Sequence, residues 1–371
     1  MTADPCRWVV LEPLDTVAVR DGRAFDAGQQ SVAHAALPSP ATVAGAIGAA
    51  YDPTPGLAHT DPTARGTRLP KELHGPVVAY EEGDRWLALL PVPYDVVVAP
   101  DGRDDQDGEA LRLVVDDSEF RGVGHDLDGE VTTLLRESVA DSASAEAHWW
   151  DADQLQDYLH DGVPSSYWVE APWQVERRVG LARAEADRSV ADGMLYSIEH
   201  LRLRHGIGFA ARCVGGPDRK LDGTVAFGGQ GRRAELHANV PAIELPDHPD
   251  DFPDGRLLLY LLTPAVFPEG RWRPDVAAWE SRWGAVELVA AAVGPPRVIS
   301  SIVADRQTGG VRAGRLLWAA PPGSVYYLAF RDAATALQAA GTLHGSCLPQ
   351  AEDWMRTAGF GLALTGRWWR G

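Results

Sequence analysis

Cysteine is scarce and scattered in this chain. Its three copies, Cys6, Cys213 and Cys347, form no CxxC pair, which argues against a disulfide framework and a structural zinc site. Long apolar runs are missing as well. The longest, residues 257–267, contains Pro264 and is too short to span a bilayer, and residues 1–14 hold no apolar core of signal-peptide length. A cytoplasmic, reduced protein without membrane contact is expected. There is no P-loop, GxSxG, HExxH or EF-hand signature. Gly206-Ile207-Gly208-Phe209-Ala210-Ala211 imitates a dinucleotide fingerprint, but a strand rather than a helix should follow it. Histidines and cysteines never cluster at metal spacing and no acid–base pair stands out. No metal, no cofactor and no catalytic residue is therefore expected.

Lysine is nearly absent too. Lys71 and Lys220 are the only two, so arginine carries almost all the positive charge. The net charge of −18 argues at first against a nucleic-acid partner, because phosphate binding needs local cations. The distribution changes that argument. Residues 101–170 hold 19 acidic and 4 basic residues, whereas residues 171–240 hold 8 acidic and 11 basic. The acidic segment reads as a solvated surface insertion, spanning about residues 101–165, or as a protein-docking face. With 371 residues, 45% of them hydrophobic, the chain has room for two globular domains, placed here at 1–170 and 171–371.

Elements follow from local pattern. Residues 7–11 read as a buried strand. Ser39 as N-cap and Pro40 at the first position start a helix with Val43, Ile47 and Tyr51 on one face. Residues 75–80 and 85–90 read as paired strands, and residues 149–160 as a helix. Residues 194–204 alternate and read as a strand, with residues 206–213 returning from it. A strand is expected over 256–263, and two more over 316–320 and 324–330. A helix is expected over 332–340, closed by Gly341. A short helix over 349–358 precedes a Gly-Phe-Gly break and a closing strand. The fold class expected is α+β with antiparallel sheets.

Several turns suit a phosphate chain. Arg20, Arg23 and Phe25 crowd one turn, with cations for phosphate and a ring for a base. The helix start at Ser39 offers N–H groups. Arg177 and Arg178 open the basic segment, and Arg202 and Arg204 end one face of the 194–204 strand. Arg232 follows a glycine-rich turn, Phe227-Gly228-Gly229-Gln230-Gly231. In the last stretch, Gly359 and Gly361 would let successive N–H groups form a concave anion site. Phe360 would offer its face to a base and Arg367 would reach a phosphate. The ordinary alternative there is a helix C-cap and a turn. On the functional reading, Gly361→Val should weaken binding without unfolding.

Together these blocks resemble the third Cmr subunit of type III-B CRISPR effector complexes, in the RAMP superfamily. The resemblance rests on Leu11-Glu12-Pro13-Leu14-Asp15 through Arg20-Asp21-Gly22-Arg23-Ala24-Phe25 and on Leu37-Pro38-Ser39-Pro40-Ala41-Thr42. It continues through Gly193-Met194-Leu195-Tyr196-Ser197, Gly228-Gly229-Gln230-Gly231-Arg232, Tyr260-Leu261-Leu262-Thr263-Pro264, Pro322-Gly323-Ser324-Val325-Tyr326 and Gly359-Phe360-Gly361. These blocks run nearly the length of the chain in order. The departures are the acidic insertion and the low lysine content. The resemblance implies two ferredoxin-like (RRM-like) domains facing each other, with glycine-rich loops. It implies a non-catalytic role in antiviral defence, gripping the 5′ repeat-derived handle of the crRNA. Its implied partners are the large polymerase-cyclase subunit and an adjacent backbone RAMP subunit, with the target RNA touched only indirectly.

Two rivals stand beside this reading. One is a metal-independent endoribonuclease that matures crRNA with His34, which precedes the Ser39 helix, as general acid or base. The other is a scaffold that never touches RNA.

Overall fold

Two antiparallel sheets lie face to face, each with a helix on its outer side. The computed structural model describes residues 6–19, 32–54, 62–99, 109–115, 134–135, 143–144, 148–183, 190–304 and 311–368. The first sheet uses β1 (Cys6–Pro13), β2 (Glu72–Glu82), β3 (Arg85–Pro91), β4 (His148–Trp150) and β5 (Val169–Glu170). It is completed by β8 (Ile207–Val214), β9 (Thr224–Ala226) and β10 (Arg233–Val240). Its order is β5-β4-β3-β2-β8-β1-β10-β9. Strands from both sides of residue 170 thus share one sheet, so the expected division at that residue does not coincide with a gap between sheets. Between β5 and β8 the chain forms a long hairpin, β6 (Trp173–Arg183) and β7 (Val190–Leu203).

The second sheet is β12-β15-β11-β17-β16, from β11 (Arg256–Leu261), β12 (Val286–Ala292), β15 (Val325–Phe330), β16 (Ser346–Cys347) and β17 (Leu362–Arg367). A second hairpin, β13 (Arg297–Ala304) and β14 (Val311–Ala319), leaves it between β12 and β15.

Side-chain alternation explains the layering. In β1, Trp8 and Val10 point into the layer between the sheets, while Val9 and Leu11 point outward to α1 (Pro40–Tyr51). In β11, Leu258 and Tyr260 enter the shared layer, while Leu257, Leu259 and Leu261 meet α4 (Ala333–Leu343). A strand covered on both faces needs a continuous apolar run, and β11 has one. Ser39 caps α1, its oxygen accepting from the Thr42 N–H at 3.3 Å, and Val43, Ile47 and Tyr51 form the buried face as the spacing predicts.

Some expectations shift. The helix expected over 149–160 is α2 (Ala152–Asp161), capped by Asp151, and Trp149 and Trp150 belong to β4. The strand after Gly206 does not return along β7; it crosses into the first sheet between β2 and β1. Gly341 does not end α4, which continues to Leu343. The remaining helices are α3 (Glu280–Trp283) and α5 (Asp353–Ala358), the latter shorter than expected. Among the described residues no helix is long and apolar enough to cross a membrane.

The end of α4 carries a pH-dependent contact. Nδ1 of His344 accepts from the Thr365 N–H at 3.0 Å, and Nε2 lies 2.9 Å from the Pro246 carbonyl. One nitrogen accepting and the other donating suits neutral imidazole. Burial pushes the His344 pKa down to about 4, and neighbouring His248 adds to this. The folded value lies below the ordinary ~6.5, so this stabilisation is complete above that pH and is lost as pH falls toward 4. Denaturant titrations at pH 7.5 and 5 should show the parent losing about 2 kcal/mol that His344→Gln does not lose. Equal losses in both proteins would contradict this assignment.

Candidate nucleic-acid interface

The hairpin β6–β7 carries Arg177, Arg178 and Arg202, three of the eight arginines the sequence singles out. Its register sets Glu176 opposite His200, with Arg202 two residues from His200 on the neighbouring strand and Arg178 two residues from Glu176 on its own. Diagonal neighbours of this kind are within reach of long side chains. Glu176 sits 2.6 Å from both Arg178 and Arg202, and these hydrogen bonds hold its carboxyl below the usual range.

A second carboxylate closes the group. The segment 14–19 runs beside the hairpin, with Val17 and Leu201 exchanging backbone hydrogen bonds of 2.8 and 3.0 Å. It brings Asp15 to 3.3 Å from Arg202, 3.9 Å from Arg178 and into contact with Arg232. Arg232 arrives on the glycine-rich turn, which docks on the same segment through the Gly229 N–H donating to the Ala18 carbonyl at 2.7 Å. Gly228 permits that approach. Its φ is +78°, and a Cβ there would lie 2.9 Å from the Ala18 oxygen.

Three guanidiniums from three elements therefore surround two carboxylates. Beneath them His200 is buried, with Nδ1 2.8 Å from the Thr16 hydroxyl. Burial lowers its pKa, and Arg178 and Arg232 lower it further, so the imidazole stays neutral under the cations. Arg177 pairs with Glu199 at 3.0 Å, and Glu199 also meets His34 Nδ1 at 3.1 Å. Burial raises the Glu199 carboxyl, yet the hydrogen bonds from Arg177 and His34 prevail and its pKa is lowered. Arg204, just past β7, is exposed; among the described residues its guanidinium meets no carboxylate. Exposed ion pairs of this kind are weak and screened by salt, so they leave the guanidiniums open to a competing anion.

Arg178, Arg202 and Arg232 thus meet in one hairpin-centred cluster with Arg204 just past the same strand, whereas Arg177 and Glu199 pair on the hairpin's other face. The other expected residues do not join it. Arg20, Arg23 and Phe25 lie outside the described residues. The Ser39 oxygen is taken up by its own helix cap. Phe360 is 0% exposed and packs edge-on against Trp354, so it offers no face to a base. The anion site expected at the terminal turn is closed as well. The N–H groups of Gly359, Phe360 and Gly361 donate to the carbonyls of Arg356, Met355 and Pro264. Gly359 is the left-handed cap of α5, the ordinary alternative of the sequence reading. A Cβ on Gly361 would lie 2.2 Å from the Gln350 side-chain nitrogen, so Gly361→Val should disturb folding rather than binding alone. Arg367 is held by the Asp251 carboxylate and by the Asp251 carbonyl at 3.0 Å, at the end of β17.

Asp15, Glu176 and Glu199 are the members of this candidate site that sequence reasoning missed. The Glu176-Arg177-Arg178 string carried one signal; Asp15 and Glu199 are joined to their arginines only by the fold. Among the described residues no group of three or more His, Cys, Asp or Glu side chains is placed to hold a metal ion.

No curated protein matches the chain. Two of the solved chains similar to it come from type III-B complexes. One, from a cryo-EM structure of the Type III-B Cmr-beta bound to cognate target RNA, has 15% identity and a TM-score of 0.46, over 86% of each chain. The other, from the Type III-B Cmr-beta bound to cognate target RNA and AMPPnP, state 1, has 13% identity and a TM-score of 0.44, again over 86% of each chain. The family model described as CRISPR-associated protein (Cas_Cmr3) matches residues 9–368, nearly the whole length, and the chain belongs to that family.

Proposed function

We propose that this Cas_Cmr3-family chain, a subunit of a Cmr effector complex, is a non-catalytic crRNA-binding subunit that grips the 5′ repeat-derived handle. The surface formed by β6–β7, segment 14–19 and the glycine-rich turn is the grip. In this reading the chain also docks on the large polymerase-cyclase subunit and on an adjacent backbone RAMP subunit, and meets target RNA only indirectly. The observation that carries the reading is the convergence of Arg178, Arg202 and Arg232, with Arg177 and Arg204 on the same hairpin. Arginine forks suit phosphate oxygens, and a glycine turn lets backbone come close. Residues 101–170, with 19 acids against 4 bases, stay away from the RNA, because their charge repels phosphates within about 8–10 Å.

Strand order supports two ferredoxin-like units. In the second sheet β11, α3, β12, β15, α4 and β17 follow a β-α-β-β-α-β path, with β17-β11-β15-β12 as neighbours. The first sheet repeats the order with β10-β1-β8-β2, where α1 lies between β1 and β2 and the hairpin is inserted before β8. On this reading the first unit closes at Val240 rather than at residue 170.

The test is repeat-RNA affinity against salt. Arg178→Ala, Arg202→Ala and Arg232→Ala should each flatten the log–log slope by about 0.7, the single-strand value per phosphate contact, while Arg367→Ala binds like the parent. Unchanged slopes in all three, in folded protein, would remove RNA from this surface. The nuclease reading gains one observation, the His34–Glu199 pair, an arrangement that acid–base catalysis uses. The same samples decide it. The RNA should emerge intact after incubation with EDTA; cleavage that His34→Ala abolishes would assign the chain a catalytic role.

A further inference from the structure

We infer that Asp15 is a built-in stand-in for an RNA phosphate: its carboxylate occupies the arginine cluster until RNA displaces it. The inference rests on the proposed RNA grip and adds how that site is held when empty. Three features point to Asp15 among the nearby carboxylates. It is the one that touches Arg178, Arg202 and Arg232 together, so it marks the point where their fields overlap. Its side chain remains 42% exposed, so water and a competing anion can reach it. Its backbone is anchored on both sides, by the Leu14 N–H on the Arg233 carbonyl at 3.1 Å and by the Val17–Leu201 pair. The carboxylate can therefore swing aside without moving the segment.

The contact is also incomplete. Nη1 of Arg232 reaches Asp15, but its Nε is buried and meets no acceptor among the described residues. The orphaned Nε leaves the Asp15–Arg232 contact one-pronged, short of the paired N–H donation an arginine fork makes at its strongest. Glu176 lies between Arg178 and Arg202 on the hairpin itself and keeps those two side chains extended whether or not Asp15 is displaced. Without Asp15 the three arginines and Glu176 would carry two net positive charges; with it they carry one. The carboxylate thereby holds three repelling guanidiniums together in the free chain. It also sets a threshold that weakly bound polyanions must overcome.

The test uses the full chain, a labelled synthetic RNA of the repeat sequence and an oligouridine of equal length. Asp15→Asn removes the charge and keeps the shape. It should bind both RNAs about five- to tenfold more tightly at about 50 mM salt, with the gain shrinking toward 300 mM as screening sets in. The gain should be larger in proportion for oligouridine, so discrimination between the two narrows. Asp15→Glu, which keeps the charge, should behave like the parent. Asp15→Ser serves if the asparagine variant melts early. Arg178→Ala, Arg202→Ala and Arg232→Ala run alongside. If these weaken binding but neither Asp15→Asn nor Asp15→Ser tightens it, the stand-in role is wrong and the RNA grip survives. If the arginine variants bind like the parent, both fall together.

Discussion

Asp95→Ala should destabilise the chain by about 3–5 kcal/mol, the usual consequence of leaving a buried charge without its partner. Asp95 is 0% exposed and lies in the layer between the two sheets. It accepts from the Tyr158 hydroxyl at 2.6 and 2.7 Å, from Arg112 Nε at 3.0 Å, and from the Tyr327 hydroxyl. The Arg112 guanidinium lies 4.5 Å from the centre of the Tyr158 ring and 5.8 Å from that of Tyr327. The four groups come from four elements: the loop after β3, the strand Glu109–Arg112, α2 and β15. Removing the carboxylate strands one guanidinium and two phenols at once, where water cannot replace the lost acceptor. Burial already pushes both phenols well above their ordinary pKa, so they remain donors that need an acceptor. Asp95→Ala combined with Arg112→Met should recover much of the loss, because it removes both charges. Urea unfolding of the two single variants and the double variant measures this. An Asp95→Ala loss below about 1 kcal/mol would show that the knot does not hold the sheets together.

Gly359→Val should be comparably severe, at about 3–5 kcal/mol, and should abolish RNA binding only by unfolding the chain. Gly359 has a φ of +106°, which a β-branched residue rarely adopts. Space is lacking too. A Cβ there would lie 2.2 Å from the Gly75 oxygen and 3.1 Å from the Leu73 oxygen, both backbone atoms of β2. The Gly359 carbonyl accepts from the buried Thr263 hydroxyl at 2.6 Å, and that hydroxyl accepts in turn from the Leu362 N–H at 2.8 Å. The terminal turn is thus a joint between α5, β2 and β17. Thermal melts with RNA binding measured below the transition separate the two roles. A variant that melts like the parent yet binds RNA weakly would restore the turn as a nucleic-acid contact.

That turn shows where local sequence stops being informative. Gly-Phe-Gly after a helix reads the same whether the aromatic turns outward to a base or inward to a core. Burial of Phe360 against Trp354 and Met355 decides it, through the packing of α5. The start of α1 was legible because Ser39-Pro40 and the four-residue spacing are local signals. The run in β11 was legible because a strand buried on both faces cannot alternate. Membership of β8 in the first sheet was not, since its pairing with β1 and β2 is made far along the chain from either. The candidate site follows the same division. Its arginines stood out in the sequence by clustering and alternation. Their carboxylate partners Asp15 and Glu199 come from other elements, and only the fold brings them within ion-pair distance.

On the proposed function, RNA lies on the hairpin-centred arginine cluster. Ultraviolet crosslinking of the full chain to repeat RNA, with the crosslinked peptides identified by mass spectrometry, tests it most directly. Crosslinks are expected within residues 14–19, 173–183, 190–204 and 227–233, and should be lost when Arg178, Arg202 and Arg232 are replaced together by alanine. Crosslinks confined to residues 353–368 or to the acidic segment 101–170, undiminished in that triple variant, would contradict it.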